Sequence, residues 1–323
     1  MNKFPPIIKN PAFYPGQMGV EGADVPEGLR IVPTAVAYYV DTNHSLANDS
    51  NDGTDPDYPL ATIQAAVNKV SNNGDVIYVA PGSYAESVVT PDYATGPNYV
   101  SIVGLGNTRY ACQWQSAAAD EIALDLRAVG WSVENFRFMG QASAACVEIR
   151  HTDSGANDIA IRTHIKDCYF DGLTTGLTGI ASHGAYDVWV TGCTFSLWHN
   201  AGGTASGMKV GTTPLAIPYR NVIKDCMFYD NDNHCEWPSN GSMFVNNMFQ
   251  AVGYAYSATL ILQTSIVANP GDDNIVWGNT FTGDYSIAGG YRPGAADEWL
   301  GNWASDTAEA EVGDNGITIA RPT

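Results

Sequence analysis

Between Val133 and Phe281 one six-residue pattern of apolar and polar positions recurs: VENFRF, IKDCYF, VTGCTF, IKDCMF, FVNNMF and VWGNTF. The closing phenylalanines are Phe138, Phe170, Phe195, Phe228, Phe249 and Phe281, so the intervals are 32, 25, 33, 21 and 32 residues. A period in this range marks a stacked repeat architecture. Each phrase alternates as a strand does, and Phe136, Cys168, Cys193, Cys226, Asn247 and Asn279 all stand two residues before the phenylalanine. Equal offsets predict one buried column running from coil to coil, with Phe170 and Phe228 in the core.

A shorter apolar run follows each phrase: CVEI from Cys146, GIAS from Gly179, GMKV from Gly207, HCEW from His234, LILQ from Leu260 and SIAG from Ser286. Two strands per repeat, separated by turns rich in Gly, Asn, Asp and Ser, describe a coil that advances by one inter-strand spacing, ~4.8 Å. The pattern predicts an all-β parallel β-helix, a solenoid whose unequal repeats are absorbed as loops at the corners.

From Tyr38 to Val88 the chain reads YYVDTNHSLANDSNDGTDPDYPLATIQAAVNKVSNNGDVIYVAPGSYAESV. This stretch resembles the opening of the pectin-lyase-like superfamily. The resemblance implies a single-stranded right-handed parallel β-helix over residues 38–290, with a capping helix near 61–70. The helix is also legible on its own. Ala61, Ala65 with Ala66, and Val67 with Val70 give one apolar face, and Asn73 with Gly74 supplies a stop. A solenoid end exposes its core and an unpaired edge, which such a helix would cover.

Both flanks differ from the repeats. Residues 1–37 carry prolines at 5, 6, 11, 15, 26 and 33 among the apolar Phe4, Ile7, Ile8, Phe13, Tyr14 and Met18. The prolines exclude regular helix, and the apolar content exceeds that of a solvated linker. Two readings stand: an arm that docks through Phe4, Ile7, Ile8, Phe13 and Tyr14 on another protein, or a strap across the chain's own β-helix. Residues 291–323 show no further repeat phrase and are read as a cap or an oligomerisation segment, burying Trp299 and Trp303 in either case.

Charge narrows the partners. Fifteen Lys and Arg against 34 Asp and Glu leave a net −19, which makes nucleic acid and anionic membrane poor partners. Of six cysteines, Cys168, Cys193 and Cys226 occupy the column, Cys146 and Cys235 lie on the following strands, and Cys112 is unplaced; free, buried thiols are expected. The opening MNKFPPIIKNPAFYPGQMGV lacks the apolar run of a secretory signal, and no segment is long enough to span a bilayer.

The chemistry is sparse. Resemblance to pectate-lyase-like enzymes implies calcium-binding carboxylates beside a proton-abstracting base, or several Asp on neighbouring coils, yet no catalytic motif of that family can be placed. Asp167 and Asp225, each beside a lysine, read as a charged surface ladder on one strand face. The acidic run Asp49, Asp52, Asp55, Asp57 fails the EF-hand pattern, because Pro59 stands where a bidentate Glu is needed. No zinc spacing and no cofactor motif are present.

The richest loop cluster comprises Trp198 and His199 with Tyr229, Asp230, Asp232, His234, Glu236 and Trp237. Aromatic faces beside Asp and Asn suit a glycan, and paired carboxylates suit acid and base work. The alternative is turns that bond their own backbone beneath covering aromatics. Three function classes remain. A virion structural protein, decorating a capsid or attached to a tail, would be a homotrimer docked on other virion proteins such as the major capsid protein, with a possible surface glycan. The stretches DVPEGLRIVPT and GNWASD…DNGITIARP also resemble β-helix proteins of tailed phages. A polysaccharide-degrading lyase or glycoside hydrolase is the second class and a cell-surface adhesin the third.

Overall fold

The computed structural model describes residues 35–151, 157–210, 218–250, 260–265, 271–282, 291–305, 310–312 and 318–320. Three sheets of ten, eleven and eight strands wind together as a parallel β-solenoid. One coil shows the plan: His164–Lys166 lies in the first sheet, Tyr169–Asp171 in the second and Thr178–Ser182 in the third. The next coil repeats it with Trp189–Thr191, Thr194–Ser196 and Ser206–Val210. The register is strict, with Ile165 beside Val190, Phe170 beside Phe195 and Ile180 beside Met208.

Each coil therefore has three strands where the sequence pattern suggested two. The six-residue phrase spans the end of one short strand and the start of another on a different sheet, with two residues between them of which the first has left-handed backbone. The hinges are Asn135 (φ 66°), Asp167 (51°), Gly192 (65°), Asp225 (55°), Asn246 (54°), Gly278 (66°) and Gly301 (62°). All seven are Asn, Asp or Gly, the types that occupy this region most readily. Asp167 and Asp225 thus sit in a bend and not along a strand. They are still surface charges, each 3.5 Å from the preceding lysine, Lys166 or Lys224.

Inside the bend the expected column forms. Phe136, Cys168, Cys193, Cys226, Asn247 and Asn279 are all buried, and Asn302 extends the row. Its thiols reach backbone oxygens, as Cys226 Sγ does to Val190 O at 3.5 Å. Its asparagines form a true hydrogen-bond ladder. Asn279 Oδ1 accepts from Asn247 N at 2.9 Å and Asn247 Nδ2 at 3.0 Å, while Asn279 Nδ2 donates to Phe244 O at 2.8 Å and Asn302 Oδ1 at 3.0 Å. All six cysteines are free and buried.

Beside the column the phenylalanine rings stack nearly parallel. Centroid separations are 5.1 Å for Phe138 and Phe170, 4.8 Å for Phe170 and Phe195, 4.8 Å for Phe195 and Phe228, 4.9 Å for Phe228 and Phe249, and 5.3 Å for Phe249 and Phe281. The strand spacing alone sets this interval, since identical offsets place identical rings one coil apart.

Helix α1 (Ile63–Lys69) is shorter than the expected 61–70 and ends at Val70, before Asn73 and Gly74. Thr62 Oγ1 accepts from Ala65 N at its start, and Ile63, Ala66 and Val67 are its buried residues. It packs against Ala37–Val40, Val76–Val79 and Val88–Val89, the opening strands of the first and third sheets. Among the described residues no helix is long and apolar enough to cross a membrane.

At the other end, repetition continues past Phe281. Glu298–Leu300 pairs with Ile275–Trp277, and Asn302–Ser305 pairs with Thr280–Thr282. Trp299, Gly301, Asn302 and Ala304 fill the places of Val276, Gly278, Asn279 and Phe281. The expectation that no phrase follows Tyr291 is corrected: the closing Phe had become Ala, which hid it. Trp299 is buried, but Trp303 is 45% exposed. Two antiparallel strands, Ala310–Val312 and Thr318–Ala320, then complete the second sheet. The SIAG run lies outside the described residues, and the strand in that place is Tyr291–Arg292.

Candidate functional site

The loop cluster singled out from the sequence is mostly interior. Trp198, Trp237 and His234 are fully buried, and Asp230 and Asp232 are buried as well; His199 and Tyr229 reach the surface in part. Trp198 lies over Gly140 and Gly176, and its indole Nε1 donates to Phe170 O at 3.3 Å. A side chain on either glycine would meet the ring within 3.0 Å, so the small residues are there to admit it. Neither tryptophan presents a face to a sugar. The covering role of the aromatics, not the glycan contact, describes them.

The polar members of this cluster fasten one loop to the next. His199 Nδ1 meets Asp232 Oδ1 at 2.5 Å, and Asn200 N donates to Asp232 Oδ2 at 3.0 Å. Tyr229 and Tyr169 share a hydroxyl contact of 3.1 Å. His234 Nε2 faces Gln250 O at 2.7 Å and must carry the proton, leaving Nδ1 to accept from Asn231 Nδ2 at 3.0 Å. Burial pushes this imidazole down to about 4.

That depression makes a pH prediction. Above the ordinary value of 6.5 neither state of His234 is protonated; below it the unfolded chain takes a proton that the folded chain refuses. Stability should therefore fall as pH drops through the window from 6.5 to about 4. Urea unfolding at pH 7 and pH 4.5 should show a loss from this residue of about 2 to 3 kcal/mol. In His234→Gln the loss between those pH values should shrink by that amount.

The acidic run near the N-terminus is likewise internal bonding. Asp49 Oδ1 accepts from Ala61 N and Thr62 N, both at 2.9 Å, while Asp52 and Asp55 accept from Thr54 N and Asp57 N two residues on. Among the described residues no group of three or more His, Cys, Asp or Glu is arranged to hold a metal ion. Phe4, Ile7, Ile8, Phe13 and Tyr14 lie outside the described residues.

A cluster the sequence did not reveal lies on the outer face of the third sheet. Register places Asp125 beside Glu148, Glu148 beside Ala181, Ala181 beside Lys209, and Lys209 beside Glu236. Arg127, Arg150 and His183 follow at the strand ends. Arg150 bridges two carboxylates, at 2.6 Å from Asp125 and 2.8 Å from Glu148, and Arg127 holds the other side of Asp125 at 2.6 Å. Lys209 stands 3.7 Å from Glu236, which Ser206 also contacts. His183 Nε2 approaches Glu148 Oε2 at 3.4 Å without a directed hydrogen bond.

Burial works against charge on Glu148, but His183 and Arg150 outweigh it and hold the carboxyl below its usual range. The face is therefore a row of salt-bridged groups whose charges offset one another. Ala181, a methyl group between Glu148 and Lys209, leaves a low point in the row. Such a face offers donors and acceptors side by side, which suits a hydroxyl-rich ligand better than a polyanion. The shared third position of the runs CVEI, GIAS, GMKV and HCEW places Glu148, Ala181, Lys209 and Glu236 in one row, whereas Asp125, Arg127, Arg150 and His183 lie outside those runs.

No protein-family model matches the chain, and no curated protein does. Among solved structures, an alginate lyase from Paenibacillus sp. str. FPU-7 superposes with a TM-score of 0.56 at 16% identity, over 75% of this chain and 92% of that one. A pectin methylesterase from Aspergillus niger gives 0.52 at 15% identity, over 85% and 88%. ORF18 of Geobacillus virus E2 gives 0.44 at 12% identity, over 85% and 62%, a likeness too loose to bear on function. The identities are low, and what they establish is the fold: a parallel β-solenoid like those of pectin-lyase-like proteins.

Proposed function

We propose that this protein is a structural β-helix of a virus particle that turns its third sheet toward surface carbohydrate. The observation that carries the carbohydrate contact is the neutralised row of Asp125, Arg127, Glu148, Arg150, His183, Lys209 and Glu236. Its cations are already engaged by its carboxylates, so an acidic polymer gains little there and is repelled by the net charge of −19. The particle assignment is supported by the phage-like flanking stretches and by six free, buried thiols, which suit assembly in a reducing cell. Assembly as a trimer on other virion proteins such as the major capsid protein belongs to the same reading.

A polysaccharide-modifying enzyme on the same face is the second reading, favoured by the lyase and esterase that share the fold. One set of measurements separates them. Mass spectrometry of purified particles should find this chain, and the intact protein should bind neutral surface polysaccharide with an affinity that Arg150→Ala lowers at least tenfold. Incubation with pectate or alginate should release no unsaturated oligosaccharide. Robust release abolished by Glu148→Gln would establish the enzyme, and absence from particles would end the virion reading.

A further inference from the structure

The outward positions of the three sheets differ in charge. Those of the first sheet include Glu134, Lys166, Lys224 and Glu298, and those of the third include Glu148, Lys209, Glu236 and Arg292. The second sheet begins with one charged pair, Arg137 and Asp171, joined at 2.5 Å. Beside it the turn after Ser101–Gly104 folds over the strands: Arg109 donates to Cys168 O and Gly192 O, and the Tyr110 ring rests 4.9 Å from that of Tyr169.

Beyond this turn the second sheet is open and carries no charged side chain among the described residues. Thr194 is followed outward by Met227, Met248, Thr280 and Trp303, over four strand steps or ~19 Å. Ser196 is followed by Tyr229, Gln250 and Thr282 in the second row. Met227 is 40% exposed and Trp303 45%. Aromatic and methionine side chains without Lys, Glu or Asp are the composition of a contact surface. Methionine also adapts its shape to what it meets.

The charge pattern chooses the occupant. Solenoids set side by side about an axis parallel to their own meet level with level, so near that axis each outward residue faces its own copy. On the first or third sheet this would oppose Glu298 to Glu298 or Glu236 to Glu236, and like charges directly opposite destabilise a contact. On the second sheet methionine meets methionine, while Thr280, Gln250 and Thr282 meet groups that both donate and accept. A chain of net charge −19 can thus approach its own copy there without opposing like charges.

We infer that the second sheets of three copies face a common axis along the stretch from Thr194 to Trp303, with Met227 and Met248 of each copy against their counterparts. This rests on the trimer of the proposed function and assigns its contact face. It also leaves the third sheet turned outward, where the carbohydrate contact needs it.

Cysteine cross-linking of the full-length protein tests this, since all six native cysteines are free and buried. In Met227→Cys, oxidation with copper phenanthroline should join chains into disulfide-linked pairs on a denaturing gel. Met243→Cys on the first sheet, at a residue of nearly equal exposure (38%), and Ala181→Cys on the third should cross-link at least tenfold more slowly. Sedimentation equilibrium of the wild type should give three chains, and Met227→Lys with Met248→Lys should weaken that association at least tenfold. A wild type that stays monomeric or forms pairs would overturn the proposal, and so would equal cross-linking at the three sites or none at residue 227. The particle assignment is read separately, from the presence of this chain in purified particles, and neither result decides the other.

Discussion

Phe228→Ala should lower the free energy of unfolding by about 3 to 5 kcal/mol, measured by urea denaturation at pH 7. The ring sits in the middle of the stack, 4.8 Å from Phe195 and 4.9 Å from Phe249, and is wholly buried. Truncation removes the transfer energy of the ring and opens a cavity whose floor and ceiling are other rings held by strand pairing on three sheets. They cannot collapse into it without breaking register, which puts the cost toward the upper end of the range. Phe228→Leu should recover more than half of the loss. A loss below about 1 kcal/mol for the alanine variant would mean that the stack is not what holds adjacent coils together.

Asn279→Ala should cost a comparable amount, about 3 to 5 kcal/mol, for a different reason. Its carboxamide accepts from the backbone and side chain of Asn247 and donates to Phe244 O and Asn302 Oδ1. Removing it strands the buried Asn247 N–H and weakens the junctions on both sides, at about 1 to 3 kcal/mol for each unsatisfied group. Asn279→Asp should be worse than alanine near neutral pH, since a buried carboxylate would replace an amide that must also donate. Cys226→Ala, by contrast, removes only long thiol contacts and should cost appreciably less, because a thiol is a weak donor. Equal losses at Asn279 and Cys226 would show that the ladder contributes volume alone.

These two residues also show how far the sequence could be read. The column and the stack were legible because every coil puts the same residue type at the same offset, and solenoid geometry converts equal offset into equal place. The hinge was not legible, because Asn135, Asp167 and Asn246 look like the polar half of an alternating strand. Only their shared left-handed backbone shows that the phrase turns a corner. The last coil escaped because Ala304 stands where the ring should be.

The candidate site divides along the same line. Aromatic and acidic residues of neighbouring loops, Trp198 and Asp232 among them, looked like a binding surface; the burial of Trp198 follows from the glycines at 140 and 176, whose meaning depends on which loop folds over them, and Asp232 is taken up by His199 and Asn200. The stretch from Glu148 to Glu236 shares the third position of the short runs, but its residue types vary from coil to coil, and Asp125 joins it only through the pairing register.

The graded composition of the buried column has a mechanical consequence. A solenoid drawn out along its axis loads the junctions between coils one after another, and the weakest yields first. The side-chain contacts that join Cys168, Cys193 and Cys226 to the preceding coil are thiol to carbonyl at 3.5 to 3.9 Å, whereas from Cys226 onward the junctions carry amide bonds of 2.7 to 3.0 Å. The column thus gives the rod a compliant section toward its N-terminus and a stiff one toward its C-terminus. Tension between the two ends would be relieved in the cysteine coils, leaving the asparagine coils wound.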